Sequence, residues 1–175
     1  MQEPLVSVLM TCYNREKYIG QAIESVLASD YRNLELIIVD DVSKDGTLAI
    51  AKTYAAKDSR VHVYLNEKNL GDYANRNKAA GHAKGKYNIY LDADDTMYYY
   101  CLELCVKFCE QFPEAGFGLG TVPDDNRPCP VFIPPREIYL EHFFKYSHFD
   151  RAPGSGFIKR EVFNAVGGFA GKRMI

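Results

Sequence analysis

Five aspartates stand directly after two of the apolar runs of this chain, an arrangement that can bind a divalent cation. Carboxylates that meet in a partly dry site repel one another, and a cation with oxygen ligands relieves the repulsion. The spacing Asp92-x-Asp94, at the bend where a strand leaves its sheet, suits a hard metal ion that could in turn hold a diphosphate. A solvated turn that caps the next helix is the plain alternative for Asp92 to Thr96. The five aspartates are Asp40, Asp41, Asp92, Asp94 and Asp95.

Two familiar phosphate-binding loops are absent from the sequence. The segment Thr11 to Gly20 lacks Gly-x-Gly-x-x-Gly, and no Gly-x-x-x-x-Gly-Lys-Ser/Thr occurs. Dinucleotide oxidoreductases and P-loop enzymes are therefore disfavoured. An acidic residue at the end of the second run can still accept a hydrogen bond from a ribose or base, and Tyr13 offers a ring face beside it. A nucleotide held by side chains and a metal ion remains open.

The elements that must position these residues follow a βαβ pattern. Short β-branched or aromatic runs occupy residues 5–10, 34–39, 61–65 and 87–91. They recur at intervals of roughly 25 to 30 residues, which leaves room for a helix between successive strands. The second run is almost continuously apolar, which is typical of a strand covered on both faces. The sequence therefore predicts an α/β fold with a mainly parallel sheet. Ligands of such sheets bind beyond the carboxyl ends of the strands, where the aspartates stand.

Four helices are predicted between and after these runs. The first covers Arg15 to Ala28 with Asn14 as its N-cap, and the second opens at Asp45 to Thr47. The third covers Asp72 to Lys84 and is closed by Gly85, and the fourth covers about 98–112. Five prolines between Pro123 and Pro135 then indicate an irregular segment, after which apolar patterns return at 138–144, 157–158 and 161–166.

Composition excludes several function classes. The 175 residues are 47 % apolar and carry a net charge of −2, which suits one globular domain and gives no field to hold nucleic acid. No run of 18 apolar residues and no signal peptide is present, so we expect no integral membrane span. Five unevenly spaced cysteines favour the reducing cytoplasm. Cys101, Cys105 and Cys109 are predicted to be small apolar residues on the buried face of the fourth helix.

Several collinear motifs together resemble family 2 glycosyltransferases with the GT-A fold. The match extends over residues 3–169 and includes VSVLMTCYN (6–14), ELIIVDDVSKDGT (35–47) and LDADD (91–95), which contains the DXD motif. The resemblance implies a three-layer α/β/α, Rossmann-like domain over 1–175, with donor binding in about 1–120 and an incomplete acceptor side in about 121–175. It implies a UDP- or GDP-linked sugar donor, Mn²⁺ or Mg²⁺, and a saccharide or lipid-linked acceptor. Bacterial polysaccharide biosynthesis, in the cytoplasm or at the inner face of the membrane, is the implied setting.

The same resemblance assigns roles to residues. Thr11 and Tyr13 would line the nucleobase pocket, and Asp40 or Asp41 would bind the base or ribose. Asp92 would bind the ribose, and Asp94, with Asp92, the metal ion. Arg76 is a weaker candidate for the base or phosphate, its alternative being a solvated arginine on a helix face. Asp95 is either a partner behind these ligands or a helix cap.

The catalytic base is not found in this sequence. In the family the base belongs to a Glu-Asp pair after a Gly-Gly-Phe segment; here Gly167-Gly168-Phe169 is followed by Ala170-Gly171 and no such pair. The base is therefore expected beyond Ile175. Asp124, Asp125 and Asp150 are taken as solvated loop residues rather than substitutes. Val42 also stands where the family commonly has glycine.

Three further expectations concern function. A binding module without transfer is one alternative to an inverting transferase, and a haloacid-dehalogenase-like phosphatase with Asp92 as nucleophile is a minor one. Apolar surface left uncovered by an incomplete acceptor side would favour a homo-oligomer. Aromatic residues of the acceptor side could stack on a sugar, although core packing against the sheet is the favoured interpretation; they are Tyr139, Phe143, Phe144, Tyr146 and Phe149.

Overall fold

The computed structural model describes residues 3–120, 131–145, 147–148 and 153–170. Its centre is a six-stranded sheet in the order β3-β2-β1-β4-β6-β5. The strands β1 to β4 run parallel, while β6 runs antiparallel to both β4 and β5. The predicted mainly parallel sheet is confirmed, with an antiparallel edge. The strands are β1 (Val6–Cys12), β2 (Leu34–Asp40), β3 (Val61–Leu65), β4 (Tyr87–Tyr90), β5 (Phe117–Leu119) and β6 (Gly156–Lys159).

Helices cover both faces of this sheet. Side chains of α1, α2 and α4 pack with Val8 and Met10 of β1 in one core cluster, and side chains of α3 and α6 pack with Leu9 of β1 in the other. Successive side chains of β1 therefore point into two cores, one on each face of the sheet. This is the predicted three-layer α/β/α arrangement. The helices are α1 (Ile19–Leu27), α2 (Thr47–Ala55), α3 (Asp72–His82), α4 (Cys101–Gln111), α5 (Pro135–Phe144) and α6 (Arg160–Ala165).

The strand β2, between β3 and β1 in the sheet, is buried along its whole length. All seven of its residues are buried, as its continuous apolar run predicts for a strand covered on both faces. Its one charged side chain before the carboxyl end, Glu35, accepts hydrogen bonds from Ser7 Oγ at 2.6 Å and from the N–H of Lys84 at 2.7 Å. The buried strand is therefore a well-packed support for the aspartates at its carboxyl end.

Asn14 does not cap α1, and that prediction is wrong. The helix begins at Ile19, and Asn14 adopts a left-handed backbone with φ +54°. Its Oδ1 accepts a hydrogen bond from the N–H of Lys44 at 2.8 Å, and its own N–H donates to Ser43 Oγ at 2.9 Å. Asparagine tolerates this conformation well. The residue therefore ties the loop after β1 to the loop after β2.

Two other helix ends also differ from prediction. Helix α3 ends at His82, so Gly85 does not close it; a Cβ on Gly85 would lie 2.7 Å from the carbonyl oxygen of Leu5 and from the nitrogen of Ser7. The glycine is needed because the chain passes directly against β1. Helix α4 begins at Cys101, six residues after Asp95, so Asp95 is not its cap.

The cysteines of α4 lie where the sequence predicts. Cys101, Cys105 and Cys109 are partly buried and pack against the first core cluster as apolar side chains. Among the described residues, none of the helices has both the length and the apolar character needed to cross a bilayer.

Candidate functional site

A cleft of about 470 Å³ opens at the carboxyl ends of β1, β2 and β4. Because parallel strands present these ends at one edge of the sheet, residues distant in sequence meet there. Six of the seven predicted donor-site residues line the cleft, and Asp40 does not. The lining residues are Thr11, Cys12, Tyr13, Arg15, Asp41, Asn69, Gly71, Asp72, Asn75, Arg76, Asp92, Ala93 and Asp94.

The two aspartates after β2 have different surroundings. Asp40 is fully buried; its Oδ1 accepts a hydrogen bond from the N–H of Ser43 at 2.8 Å, and its Oδ2 lies 3.6 Å from Cys12 Sγ. Burial and this carboxylate raise the pKa of the Cys12 thiol, which stays a neutral donor. Asp40 therefore shapes the turn after β2, and Asp41 is the one of the pair at the cleft.

Asp41 holds the loop that forms one wall of the cleft. Its Oδ1 accepts hydrogen bonds from Asn66 Nδ2 and from the N–H of Leu70, both at 2.8 Å, and its Oδ2 accepts from the N–H of Gly71 at 2.9 Å. Gly71 has φ +78°, a conformation open to glycine at little cost. One buried carboxylate thus fixes a loop that has no regular secondary structure.

Arg76 is buried, so the alternative of a solvated arginine on a helix face is wrong. It is 6 % exposed, and it donates through Nε to Asp72 Oδ1 and through Nη2 to Asp92 Oδ1, both at 2.7 Å. Burial by itself would lower the pKa of Arg76, but the carboxylates of Asp92 and Asp72 raise it overall. The guanidinium also lies 5.6 Å from the centre of the Tyr90 ring. Its Nη1 is buried with no hydrogen-bond partner among the described residues.

Asp94 is paired differently, at the rim of the cleft. Its Oδ2 lies 3.1 Å from Arg15 Nε, and both side chains are more than two-fifths exposed. Asp95 is exposed and donates its backbone N–H to the carbonyl of Asp92 at 2.9 Å, which closes the turn that carries the Asp92-x-Asp94 spacing. The turn therefore presents both predicted metal ligands to the same cleft.

Thr11 and Tyr13 form the wall at the end of β1. Thr11 is half-buried near the end of the strand, and Tyr13 is 42 % exposed just after it. A partly exposed ring next to acidic acceptors is a surface on which a planar base can stack. The two residues line the same cleft as Asp41 and Arg76, and their role in a nucleobase pocket stays a prediction.

The carboxyl-terminal part of the described chain packs behind the cleft. The amide of Asn77 makes two hydrogen bonds of 2.9 Å with the backbone of Phe169. The Phe169 ring stacks on Tyr73 at 5.5 Å and meets Tyr90 edge-on at 5.4 Å. A Cβ on Gly168 would lie 2.5 Å from Asn77 Oδ1, so the Gly-Gly-Phe segment fits only with glycine there. The segment supports α3 next to Arg76.

The backbone of Val42 adopts a conformation that favours glycine, the residue that the family commonly has at this position. Its φ is +66°, in the left-handed region that is unfavourable for a β-branched residue. The strained turn lies directly after Asp41. The substitution therefore leaves local strain at the edge of the cleft.

Sequence reasoning missed four polar residues of the cleft. Asp72 could have been found, because it precedes Arg76 by four residues and such a pair shares one helix face. Asn75 donates from Nδ2 to the carbonyl of Val39 at 3.2 Å and accepts from Asn66 Nδ2 at 2.9 Å, contacts that no sequence pattern announces. The four residues are Arg15, Asn69, Asp72 and Asn75.

The favoured core packing of the acceptor-side aromatics is wrong where the structure describes them. Tyr139, Phe143 and Phe144 of α5 are 59 %, 69 % and 81 % exposed. Tyr146 and Phe149 lie outside the described residues, as do Asp124, Asp125 and Asp150. The aromatic residues of α5 are thus surface residues, which leaves contact with a saccharide as a prediction.

The residues of the cleft fit a cation only in part. Asp92 and Asp94 supply carboxylate oxygens, the ligand type that Mn²⁺ and Mg²⁺ prefer. In the ranges that the structure describes, no group of three or more His, Cys, Asp or Glu side chains could hold a metal ion. The donor set therefore suits a cation that takes further oxygen ligands from a bound diphosphate.

Solved structures share this architecture. S. aureus TarS, residues 1–349, superposes with a TM-score of 0.75 at 22 % identity, over 95 % of this chain and 50 % of that one. The mannosyltransferase PcManGT from Pyrobaculum calidifontis gives 0.77 at 23 % identity, over 98 % of this chain and 49 % of that one. The fold is that of the GT-A glycosyltransferases, an α/β class with a mainly parallel sheet.

Sequence comparison narrows the class to a family. The profile of Glycosyl transferase family 2 matches residues 7–167, and the chain belongs to that family. It is 38 % identical over 135 residues to TuaG of Bacillus subtilis (strain 168), which is named as a teichuronic acid biosynthesis glycosyltransferase, and the match covers 75 % of this chain and 53 % of TuaG. It is 44 % identical over 109 residues to the glycosyltransferase EpsE of the same organism, over 62 % of this chain and 39 % of EpsE. The chain thus spans about half or less of these relatives, and the comparisons specifically favour neither the binding-module nor the phosphatase alternative.

Proposed function

We propose that the cleft binds a nucleotide-diphosphate sugar together with Mn²⁺ or Mg²⁺, and that the domain serves inverting transfer of the sugar to a saccharide or lipid-linked acceptor. The observation that carries the proposal is the convergence of Asp92 and Asp94 on one cleft, each beside an arginine. Carboxylates can share a cation with a diphosphate, and the arginines balance the anionic charge of both.

Each part of the donor has a candidate partner on the cleft wall. Tyr13 and Thr11 offer a surface for the base, and Asp41 and Asp92 offer acceptors for base or ribose hydroxyl groups. Asp94, with Asp92, is the candidate ligand for the metal ion, which would stabilise the leaving diphosphate. Arg76 is held between Asp72 and Asp92 and supplies a fixed positive charge close to the ribose and phosphates.

Proteins of the same fold support this choice of ligand. TarS has been solved with UDP and with UDP-GlcNAc, and PcManGT with GDP-Man and Mn²⁺. The name of TuaG, teichuronic acid biosynthesis glycosyltransferase, supports an acceptor in bacterial polysaccharide synthesis. We propose that donor binding belongs to about residues 1–120 and the acceptor side to about 121–175.

Calorimetry with UDP and GDP, with and without Mn²⁺, tests the proposal. We expect one of the nucleotides to bind more tightly when Mn²⁺ is present, and Asp94→Asn to remove that dependence. Asp30→Asn is the matched control, because Asp30 is exposed and lies outside the cleft. Absence of binding by either nucleotide at millimolar concentration would refute the proposal. Binding without sugar transfer in an assay of the unmodified chain would instead favour the binding-module alternative.

A further inference from the structure

The two predicted metal ligands differ in how firmly their arginines are held. Arg76, the partner of Asp92, is 6 % exposed and also donates to Asp72 at 2.7 Å. Arg15, the partner of Asp94, is 43 % exposed and makes its contact at 3.1 Å through Nε. An exposed ion pair is screened by water and separates easily, whereas a buried and doubly paired guanidinium does not.

The loop that carries Arg15 is nevertheless well fixed. The backbone N–H of Arg15 donates to Thr47 Oγ1 at 2.7 Å, and the N–H of Glu16 donates to Asp45 Oδ2 at 3.1 Å. Glu16 Oε2 in turn accepts a hydrogen bond from the N–H of Gly46 at 2.8 Å. The loop is therefore anchored to the start of α2, and only the side chain of Arg15 is free to change its partner at the cleft.

The guanidinium of Arg15 can keep part of its contacts when it leaves Asp94. Its Nη1 donates to the carbonyls of Tyr13 and Asn14, each at 3.2 Å, on the side away from the carboxylate. The Nε and Nη2 groups of an arginine can then form a fork toward a phosphate oxygen pair. The side chain thus lines the cleft in which a diphosphate is proposed to bind, next to its acidic partner.

The present pairing should weaken the binding of a cation at Asp94. A doubly charged ion on this carboxylate would repel the adjacent guanidinium, which already contacts Oδ2 of Asp94. A bound diphosphate removes the conflict, because it offers Arg15 an anion and offers the cation additional oxygen ligands. The cation and the diphosphate should therefore favour each other through Arg15.

We propose that Arg15 is the exchangeable counter-ion of Asp94: it occupies the carboxylate in the empty site, moves to the diphosphate when the donor binds, and so makes metal binding depend on the nucleotide. The proposal rests on the proposed function and adds a positioning residue to it. Such coupling is reciprocal, so the nucleotide strengthens metal binding by the factor by which the metal strengthens nucleotide binding.

The test compares Arg15→Gln with the unmodified chain. Without nucleotide, electron paramagnetic resonance of Mn²⁺ should show binding about three- to tenfold tighter in Arg15→Gln, because the competing cation is gone. Calorimetry at saturating Mn²⁺ should show UDP or GDP binding weakened by a similar factor. Lys17→Gln removes one positive charge two residues away, on an exposed side chain outside the cleft, and should change neither affinity by more than about twofold.

A double variant completes the design. In the Asp94→Asn background, Arg15→Gln should no longer affect Mn²⁺ affinity, since the carboxylate for which the two cations compete is absent. The inference is overturned if Arg15→Gln leaves Mn²⁺ affinity unchanged, or if it shifts metal and nucleotide affinity in the same direction. A chain that binds nucleotide and Mn²⁺ normally in Arg15→Gln would refute the inference and keep the proposed function. A chain that binds no nucleotide in any form would refute both.

Discussion

The parallel half of the sheet, strands β1 to β4, and helix α5 both contain many apolar residues, but they differ in how far these residues are buried. In β2 every residue is buried, whereas all ten residues of α5 are described and none is buried. The apolar residues of α5 occupy positions 138, 139, 140, 143 and 144, which spread over more than half of the helix circumference instead of forming one stripe. Apolar content thus indicates a core only where its spacing matches the element. The donor side is built on that match, and α5 presents its aromatic residues at the surface.

The largest expected difference comes from the same substitution in the two regions. Leu36→Ala in β2 removes a fully buried side chain and should lower the free energy of unfolding by about 2–5 kcal/mol. Leu140→Ala in α5, where the leucine is 51 % exposed, should change it by less than about 0.5 kcal/mol. Urea denaturation followed by circular dichroism measures both. A loss above 2 kcal/mol for Leu140→Ala would show that α5 belongs to a core after all.

Within the donor side, the buried Arg76 and the exposed Arg15 should differ in how much they stabilise the fold. Arg76→Gln leaves the carboxylates of Asp72 and Asp92 without their partner and should destabilise the fold by about 1–3 kcal/mol. Arg15→Gln breaks one exposed ion pair and two exposed hydrogen bonds of 3.2 Å to the carbonyls of Tyr13 and Asn14, and should cost less than about 0.5 kcal/mol. Chemical denaturation of both variants checks this. Equal losses would mean that Arg15 is held as firmly as Arg76, which would also argue against its exchange.

A third prediction concerns strain in the otherwise well-packed parallel half. Val42→Gly should raise the free energy of unfolding by about 0.5–1 kcal/mol, because glycine adopts φ +66° without steric cost and this outweighs its greater freedom in the unfolded chain. Val42→Ala retains a Cβ and therefore most of the strain, so it is the matched control. If alanine stabilises as much as glycine, the side chain of Val42 rather than its backbone is unfavourable.

The smallest expected effect is a pH dependence at the end of α3. Burial and the nearby Lys78 lower the pKa of His82, whose ring stacks on Tyr64 at 3.7 Å. The unfolded chain therefore takes up a proton at higher pH than the folded chain, and the contribution of His82 to stability is complete above about pH 6.5 and declines below it. The stability difference between the unmodified chain and His82→Gln should shrink from pH 7.5 to pH 5.5, as measured by denaturation at each pH. A constant difference would contradict the lowered pKa.

Most of the donor-side fold could be predicted because each buried element carries its own pattern. The runs at 34–39 and 61–65 are strands in the structure, with bounds within one residue of the prediction. Short, continuously apolar or β-branched sequences favour a strand over other elements. The start of α1 could not be found in this way. Asn14 is a frequent helix cap and also a frequent left-handed turn residue, and only its contacts with Ser43 and Lys44 decide between the two.

The residue types of the site could be predicted from the sequence, but the hydrogen bonds and ion pairs between these residues could not. The aspartates after β2 and β4 follow from strand ends, and so does their meeting at one edge. That Asp41 rather than Asp40 reaches the cleft is seen only in their contacts: Asp40 is fully buried, and Asp41 accepts hydrogen bonds from the loop of Leu70 and Gly71. The burial of Arg76 depends on the packing of α3 on the sheet, where Tyr90 of β4 donates its hydroxyl to the carbonyl of Arg76 at 3.1 Å. Such contacts join residues whose sequence neighbours give no sign of them.

The carboxylate of Asp41 has a consequence for how the cleft can be observed in solution. It accepts the amide protons of Leu70 and Gly71, two exposed residues in a loop without regular structure. Loop amides ordinarily exchange with solvent rapidly, whereas amides bonded to a buried carboxylate exchange only when the loop opens. These two protons therefore form a native pair of nuclear magnetic resonance probes, whose exchange rates report the opening of the cleft wall with no attached probe group and no substitution.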